Sequence, residues 1–323
     1  MRTRAARTVA ALTIVATVLT ACAKPHVDPR TRLWHGGQLT IGTGPTNGVF
    51  NQLGGGYADI VNRHMSGFEA VAVPTNGAKE NLQRLVRGDV DIALTYSDVA
   101  GEAVAGTGEF AGTPIGVKAL ARMFTAYTHL LVRKDAGIDT LADLKGRRVG
   151  TGPAGSGTDI VATRILTAAG IDPGKQVVKQ SMSLSQMTTA FQAGRLDAFF
   201  YTAGLPTVGL TAMMAQMPGA FRLLPTDAVF PALQKAYPGA YTVETITKEA
   251  YGLPDVKTVA VPALLVADAD VPDDVAEQLT RLLFEHQDEL AAVHAEGRNI
   301  RREFASQTDP VQLHPGARRY YGV

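Results

Sequence analysis

Cysteine is almost absent from this sequence. Among 323 residues there is one, Cys22. A single thiol excludes an internal disulfide framework and a cysteine-built metal site. Aromatic residues make up only 7%, too few for a platform on which bases stack. Neither sign of charge prevails: 31 Lys and Arg against 30 Asp and Glu leave +1. That balance argues against nucleic acid or a strongly charged membrane surface as the main partner. The seven histidines are scattered, with no His-Glu-x-x-His pair. No nucleophile elbow is present, because Ala154 stands where Gly-x-Ser-x-Gly needs its first glycine before Ser156. Asn47 occupies the place of the third glycine in an otherwise dinucleotide-like Gly42-x-Gly44-x-x-x-Gly48. Asp89 and Asp91 share one face of a strand start, an arrangement that reads as structural rather than metal-binding. The sequence thus offers no catalytic constellation, and neither a metal nor a cofactor is expected. A binding protein is the first reading; an extracytoplasmic enzyme on the same scaffold and a sensor for a membrane signalling partner are the alternatives.

What is present begins with a leader. Arg2, Arg4 and Arg7 precede an apolar run, residues 9–18, that is too short to span a bilayer comfortably. Leu19-Thr20-Ala21-Cys22 then matches a bacterial lipobox, in which the cysteine is lipidated and becomes the first mature residue. Ordinary cleavage after Ala23 is the alternative, since Ala21-x-Ala23 also suits a signal peptidase. The expected division is a leader at 1–22 and a polar tether at 23–37, with the protein held extracytoplasmically on the cell membrane.

The remainder can be read twice. Residues 38–43 predict a strand entering a glycine loop, 57–65 a helix, 69–75 a strand, 78–88 a helix with Leu82, Leu85 and Val86 on one face, and 89–98 a buried strand. In the second half, a strand and loop through Gly150, a helix ending at Gly170, a strand at 176–182, a helix at 185–194 and a buried strand at 196–204 follow in the same order. Gly42 and Gly150 are 108 residues apart; Val71 and Val177, and Asp91 and Asp197, are each 106 apart. A matched register of this length implies two βαβαβ lobes rather than a solenoid. Segments 125–137 and 256–270 read as strands crossing between lobes, and 272–294 as a helix returning to the first. The expected boundaries are 38–130 with 262–323 for lobe I, and 131–261 for lobe II. A hinge of two strands and a cleft at the C-terminal strand ends follow.

The tetrapeptide Gly-Thr-Gly-Pro occurs at both 42–45 and 150–153. The second copy continues to Gly157 with the spacing of a phosphate loop, but the lysine after the last glycine is missing. Each loop leads towards a helix start, where unpaired N–H groups favour an anion. Without lysine the loop suits a carboxylate better than a nucleoside triphosphate. Ser156 and Thr158 add hydroxyls, although either one can equally be a cap on its own helix.

Residues 39–63, 77–98, 141–166 and 196–207, together with the lipobox, resemble the TAXI-type solute receptors of tripartite ATP-independent periplasmic (TRAP) transporters. The likeness runs from about residue 38 to the last helix. It implies an α/β, bilobed periplasmic-binding-protein fold of type II, closing like a Venus flytrap on glutamate, glutamine or another small organic acid. It also implies TRAP membrane subunits as partners and a monomeric receptor. The ligand shell it implies is Thr43, Thr46, Asn47, Gly48, Val49, Phe50, Asn76, Asn81, Tyr96, Ser97, Asp98, Gly155, Ser156, Gly157, Thr158, Phe200, Tyr201 and Thr202. The chain departs from the family at Tyr96, where glutamine is frequent; tyrosine narrows the pocket and replaces an amide with one hydroxyl.

Overall fold

The computed structural model describes residues 34–323 except Asn47. The leader, Cys22 and the tether as far as residue 33 lie outside the described residues. The tether was expected to reach residue 37, but Trp34–Gly37 already forms a turn on lobe I. His35 Nδ1 meets Asp91 Oδ1 at 2.7 Å.

Lobe I is built as β1 (Gln38–Gly42), α1 (Val49–His64), β2 (Glu69–Val73), α2 (Ala78–Val86), β3 (Ile92–Tyr96) and α3 (Ser97–Ala105). Strand β4 (Val117–Arg133) leaves it. Lobe II repeats the order with β5 (Arg148–Gly150), α4 (Gly157–Ala168), β6 (Val178–Gln180), α5 (Leu184–Gln192) and β7 (Ala198–Ala203). It is completed by α6 (Val208–Gln216), β8 (Phe221–Leu223), α7 (Phe230–Ala236), β9 (Thr242–Ile246) and α8 (Lys248–Tyr251). Strand β10 (Val256–Asp268) returns the chain to lobe I, where α9 (Asp273–Glu285), α10 (Gln287–Val293), α11 (Arg302–Ala305) and α12 (Pro315–Tyr321) close the fold.

The strands form one sheet path, β2-β1-β3-β10-β4-β7-β5-β6, with β8 on β4 and β9 on β10. Within each lobe the pairings β1–β2, β1–β3, β5–β6 and β5–β7 are parallel. The two long strands are antiparallel to their neighbours and belong to both lobes: β10 pairs with β3 through residues 263–267 and with β9 through 256–260. These shared strands are the two-strand hinge that the sequence predicts. Their buried runs, such as Val259, Val261, Leu264 and Val266, read as continuous apolar stretches because both faces are covered.

Four local expectations are corrected. Helix α1 starts at Val49, eight residues before the sequence suggests, and carries Gly54-Gly55-Gly56 in its interior. Packing overrides glycine's poor helix propensity there: a Cβ on Gly54 would come within 2.3 Å of Thr43 Cγ2. Val86 is 49% exposed, whereas Leu82 and Leu85 are buried. Val71 on β2 corresponds to Val178 rather than Val177, since Thr40 pairs with Val71 and Arg148 with Val178. The helix expected over 272–294 is broken at His286, whose φ/ψ of −121°/28° separates α9 from α10.

Candidate functional site

The two Gly-Thr-Gly-Pro loops are held by equivalent bonds. Asp91 Oδ2 accepts from Thr40 N at 2.6 Å, and Asp197 Oδ2 accepts from Arg148 N at 2.8 Å. Thr43 N donates to Val73 O at 3.0 Å, and Thr151 N to Gln180 O at 3.1 Å. Eight residues beyond each threonine, the helix reaches back: Asn51 Nδ2 donates to Thr43 Oγ1 at 3.3 Å, and Thr151 Oγ1 donates to Asp159 Oδ1 at 2.7 Å. These short links bring the starts of α1 and α4 to the C-terminal ends of their sheets, where they face each other across the cleft.

Between them lies an inner cavity of about 70 Å3. Lobe I contributes Pro45, Gly48, Val49, Phe50, Asn76 and Tyr96, and lobe II contributes Ser156, Gly157, Thr158, Tyr201 and Thr202. Pro45, Gly48, Pro153 and Tyr201 also border an outer cavity of about 700 Å3, which reaches Thr46 and the facing sides of α5 and α6.

The lobe II wall is polar. Ser156 Oγ accepts from Asp159 N at 3.2 Å, so it does cap α4. Thr158 Oγ1 accepts from Thr202 N at 3.1 Å. Both hydroxyls spend a lone pair on the protein and keep their protons. Gly157 N and Thr158 N have no acceptor among the described residues. Burial pushes the Tyr201 phenol up to about 12, which keeps it a neutral donor. The charge that the missing loop lysine would bring sits behind the loop. Lys179 Nζ lies 2.7 Å from Asp159 Oδ1, while Asp159 Oδ2 takes the Gly155 amide at 3.0 Å.

Apart from Asn76, whose Nδ2 donates to Glu80 Oε2 at 2.8 Å, the lobe I wall is apolar, and it is closed by Tyr96. Its ring lies 5.0 Å from that of Phe50, and its hydroxyl donates across the cleft to Thr202 O at 3.1 Å. Only glycine fits opposite: a Cβ at Gly157 would come within 2.2 Å of Tyr96 Cε2.

Several expected shell residues work elsewhere. Asn81 is fully buried; its Nδ2 donates to Thr43 O at 2.5 Å and Leu94 O at 2.6 Å, staking the β1 loop to β3. The Thr43 side chain donates to Val73 O. Ser97 Oγ donates to Ala240 O at 3.0 Å. Asp98 joins the lobes behind the cavity, taking Arg164 Nη1 and the Tyr241 hydroxyl, each at 2.5 Å. Burial disfavours the charge on Arg164, but Asp98, Tyr241 and Glu102 together raise its pKa. Phe200 is core. Gly155 faces Lys79, and Asn47 lies outside the described residues. Pro45 and Pro153, which border both cavities, were not foreseen, although the duplicated tetrapeptide marks both.

One cluster of potential metal donors occurs among the described residues. His64, His286 and Glu289 bring ligand atoms within 4.8 Å of one another on lobe I, away from the cleft. The two rings stack at 3.6 Å, and both address Glu289 Oε1, so hydrogen bonding already accounts for the grouping.

Two parallel βαβαβ lobes, two crossing strands and a cleft at paired loops define an α/β protein with the periplasmic-binding-protein fold. The chain belongs to the NMT1-like family, which it matches over residues 41–322. Its structure is similar to the periplasmic aliphatic sulphonate binding protein SsuA from Escherichia coli, with TM-score 0.51, 16% identity, and 88% of this chain and 82% of that one covered. It is similar to a binding protein component of an ABC phosphonate transporter from Pseudomonas aeruginosa, with TM-score 0.53, 15% identity and coverage of 80% and 78%. A protein of Bordetella bronchiseptica RB50 matches with TM-score 0.53, 20% identity and coverage of 88% and 82%. At these identities the likeness is one of fold. No helix among the described residues is long and apolar enough to cross a membrane.

Proposed function

We propose that this protein is an extracytoplasmic solute receptor, not an enzyme, that binds a small carboxylate between its lobes. It delivers this solute to a membrane transporter. The observation that carries the reading is the lobe II wall. Two unpartnered amides, Gly157 N and Thr158 N, and the hydroxyls of Ser156, Thr158 and Tyr201 border one cavity. Donors at a helix start favour an anion, and a carboxylate requires less compensating charge than a polyphosphate. The purified protein, screened by thermal shift, is expected to gain a few degrees in Tm with matching carboxylic acids, since binding at a hundred times Kd adds about 2.7 kcal/mol. The corresponding amides are expected to give no shift; equal shifts from acid and amide would remove the basis of the assignment.

The TAXI resemblance supports TRAP membrane subunits as the partners, with lobe boundaries at 38–130 plus 262–323 and at 131–261, and a monomeric receptor. The lipobox supports anchoring through Cys22: Cys22→Ala should move the protein from membrane to soluble fractions, and a native N-terminus beyond Cys22 would contradict it. Reconstitution with TRAP subunits in proteoliposomes tests delivery; uptake that ignores the receptor would contradict it.

A further inference from the structure

Charge is missing from the cleft in a chain where 19% of residues carry it. Among the described residues, neither the inner nor the outer cavity is lined by a single Asp, Glu, Lys, Arg or His. The nearby charges are already matched. Lys79 is paired with Glu109, Lys179 with Asp159, and Arg164 with Asp98 and Glu102. The inner cavity, about 70 Å3, is a tenth the size of the outer one and is the one bordered by the lobe II donors, which makes it the place for a carboxylate group. The body of a larger ligand continues past Tyr201 into the outer cavity of about 700 Å3. There, Leu184, Val208, Ala212 and Met213 supply apolar surface, and Gln192 and Gln216 supply amides. Those two amides bond to each other at 2.8 Å.

We infer that the receptor selects a monocarboxylate with an extended, uncharged body, and rejects amino acids and dicarboxylates. This rests on the carboxylate reading above. An ammonium group or a second carboxylate entering the cleft would be desolvated with no opposite charge to meet it. An uncharged chain meets Leu184, Val208 and Met213 and gains with each methylene it buries.

Calorimetric titration of the purified protein with butyrate, hexanoate, octanoate, suberate, glutamate and octanamide tests this. Affinity is expected to rise with chain length from butyrate to octanoate, by up to about fourfold per methylene buried. Suberate and glutamate should bind at least tenfold more weakly than octanoate. Ala212 is an exposed helical position on the outer cavity, where lysine is well tolerated. Ala212→Lys should therefore reverse the order of suberate and octanoate. Suberate or glutamate binding as tightly as octanoate to the natural protein would overturn this inference while leaving the carboxylate reading intact. Octanamide matching octanoate would overturn the carboxylate reading and this inference with it. Failure of every monocarboxylate to bind would also overturn the inference.

Discussion

The loops that follow β1 and β5 are tied to their sheets by equivalent bonds, yet they present opposite chemistry to the cleft. At matched positions lobe I offers Val49 and Phe50, and lobe II offers Gly157 and Thr158. The cap differs as well: Gly48 makes no side-chain bond, whereas Ser156 accepts from Asp159 N. So does the residue that ties helix to strand, neutral Asn51 in one lobe and anionic Asp159, paired with Lys179, in the other. One framework therefore serves two purposes. In lobe I the wall is an extension of the core, while in lobe II it is a set of donors held ready for a guest. In the proposed receptor, the specificity of the cleft comes from this asymmetry and not from the anchoring bonds that the two loops share.

If that division is correct, the two walls should fail in different ways. Phe50 is buried against Tyr96 and Phe124, with ring centroids 5.0 and 6.1 Å away. Phe50→Ala should cost about 3–5 kcal/mol of stability in urea melts. Its lobe II counterpart, Thr158→Val, should cost far less; equal costs would dissolve the contrast.

The next effect is acid lability behind the lobe II wall. His129 bonds Tyr201 O at 3.0 Å and the Tyr251 hydroxyl at 2.9 Å. Burial lowers its pKa from the ordinary 6.5 to about 4. The unfolded chain therefore takes up the proton first. This contribution is fully present above pH 6.5 and declines as pH falls towards 4, by on the order of 3 kcal/mol. Urea melts across this range should show the decline in the natural protein, and His129→Gln should flatten it. Identical slopes would show that His129 is not the group responsible.

Gly157→Ala drives a Cβ into the Tyr96 ring and should cost about 1–3 kcal/mol. Because that contact bridges the lobes, small-angle scattering should also show a larger radius of gyration. An unchanged radius would mean that Tyr96 relaxes within lobe I. The smallest effect is at the cap: Ser156→Ala should lower stability by about 1 kcal/mol, and Ser156→Gly, which recreates the lobe I cap, by only a few tenths. A larger loss with glycine than with alanine would contradict a capping role.

Much of this was legible in the sequence because the repeat is written in local signals. Glycine loops after apolar strands placed Gly42 and Gly150. Asp91 and Asp197, landmarks of the repeat, make the same bond to β1 and β5. What escaped depends on distant partners. The glycine triplet looks like a helix breaker until Gly54 is set against Thr43. Asp98 looks like a ligand residue until Arg164 and Tyr241, 66 and 143 residues further on, are found around it. Asn81 likewise has its amide nitrogen taken up by Thr43 O and Leu94 O, and its amide oxygen by the Thr75 hydroxyl. Spacing identifies which residues stand at a loop, and tertiary contacts decide which of them still have a free hydrogen-bonding group.

The central claim is that the lobe II donors hold a carboxylate, and Thr158 tests it most directly. Its hydroxyl accepts from Thr202 N and keeps one proton for the cleft. A hydrogen bond to a charged group is worth about 1.5–3 kcal/mol. Calorimetry with octanoate should therefore show Thr158→Val binding roughly ten- to a hundredfold more weakly than the natural protein. Octanamide, bound weakly by both, should show no such difference. Unchanged octanoate affinity in Thr158→Val would contradict the account.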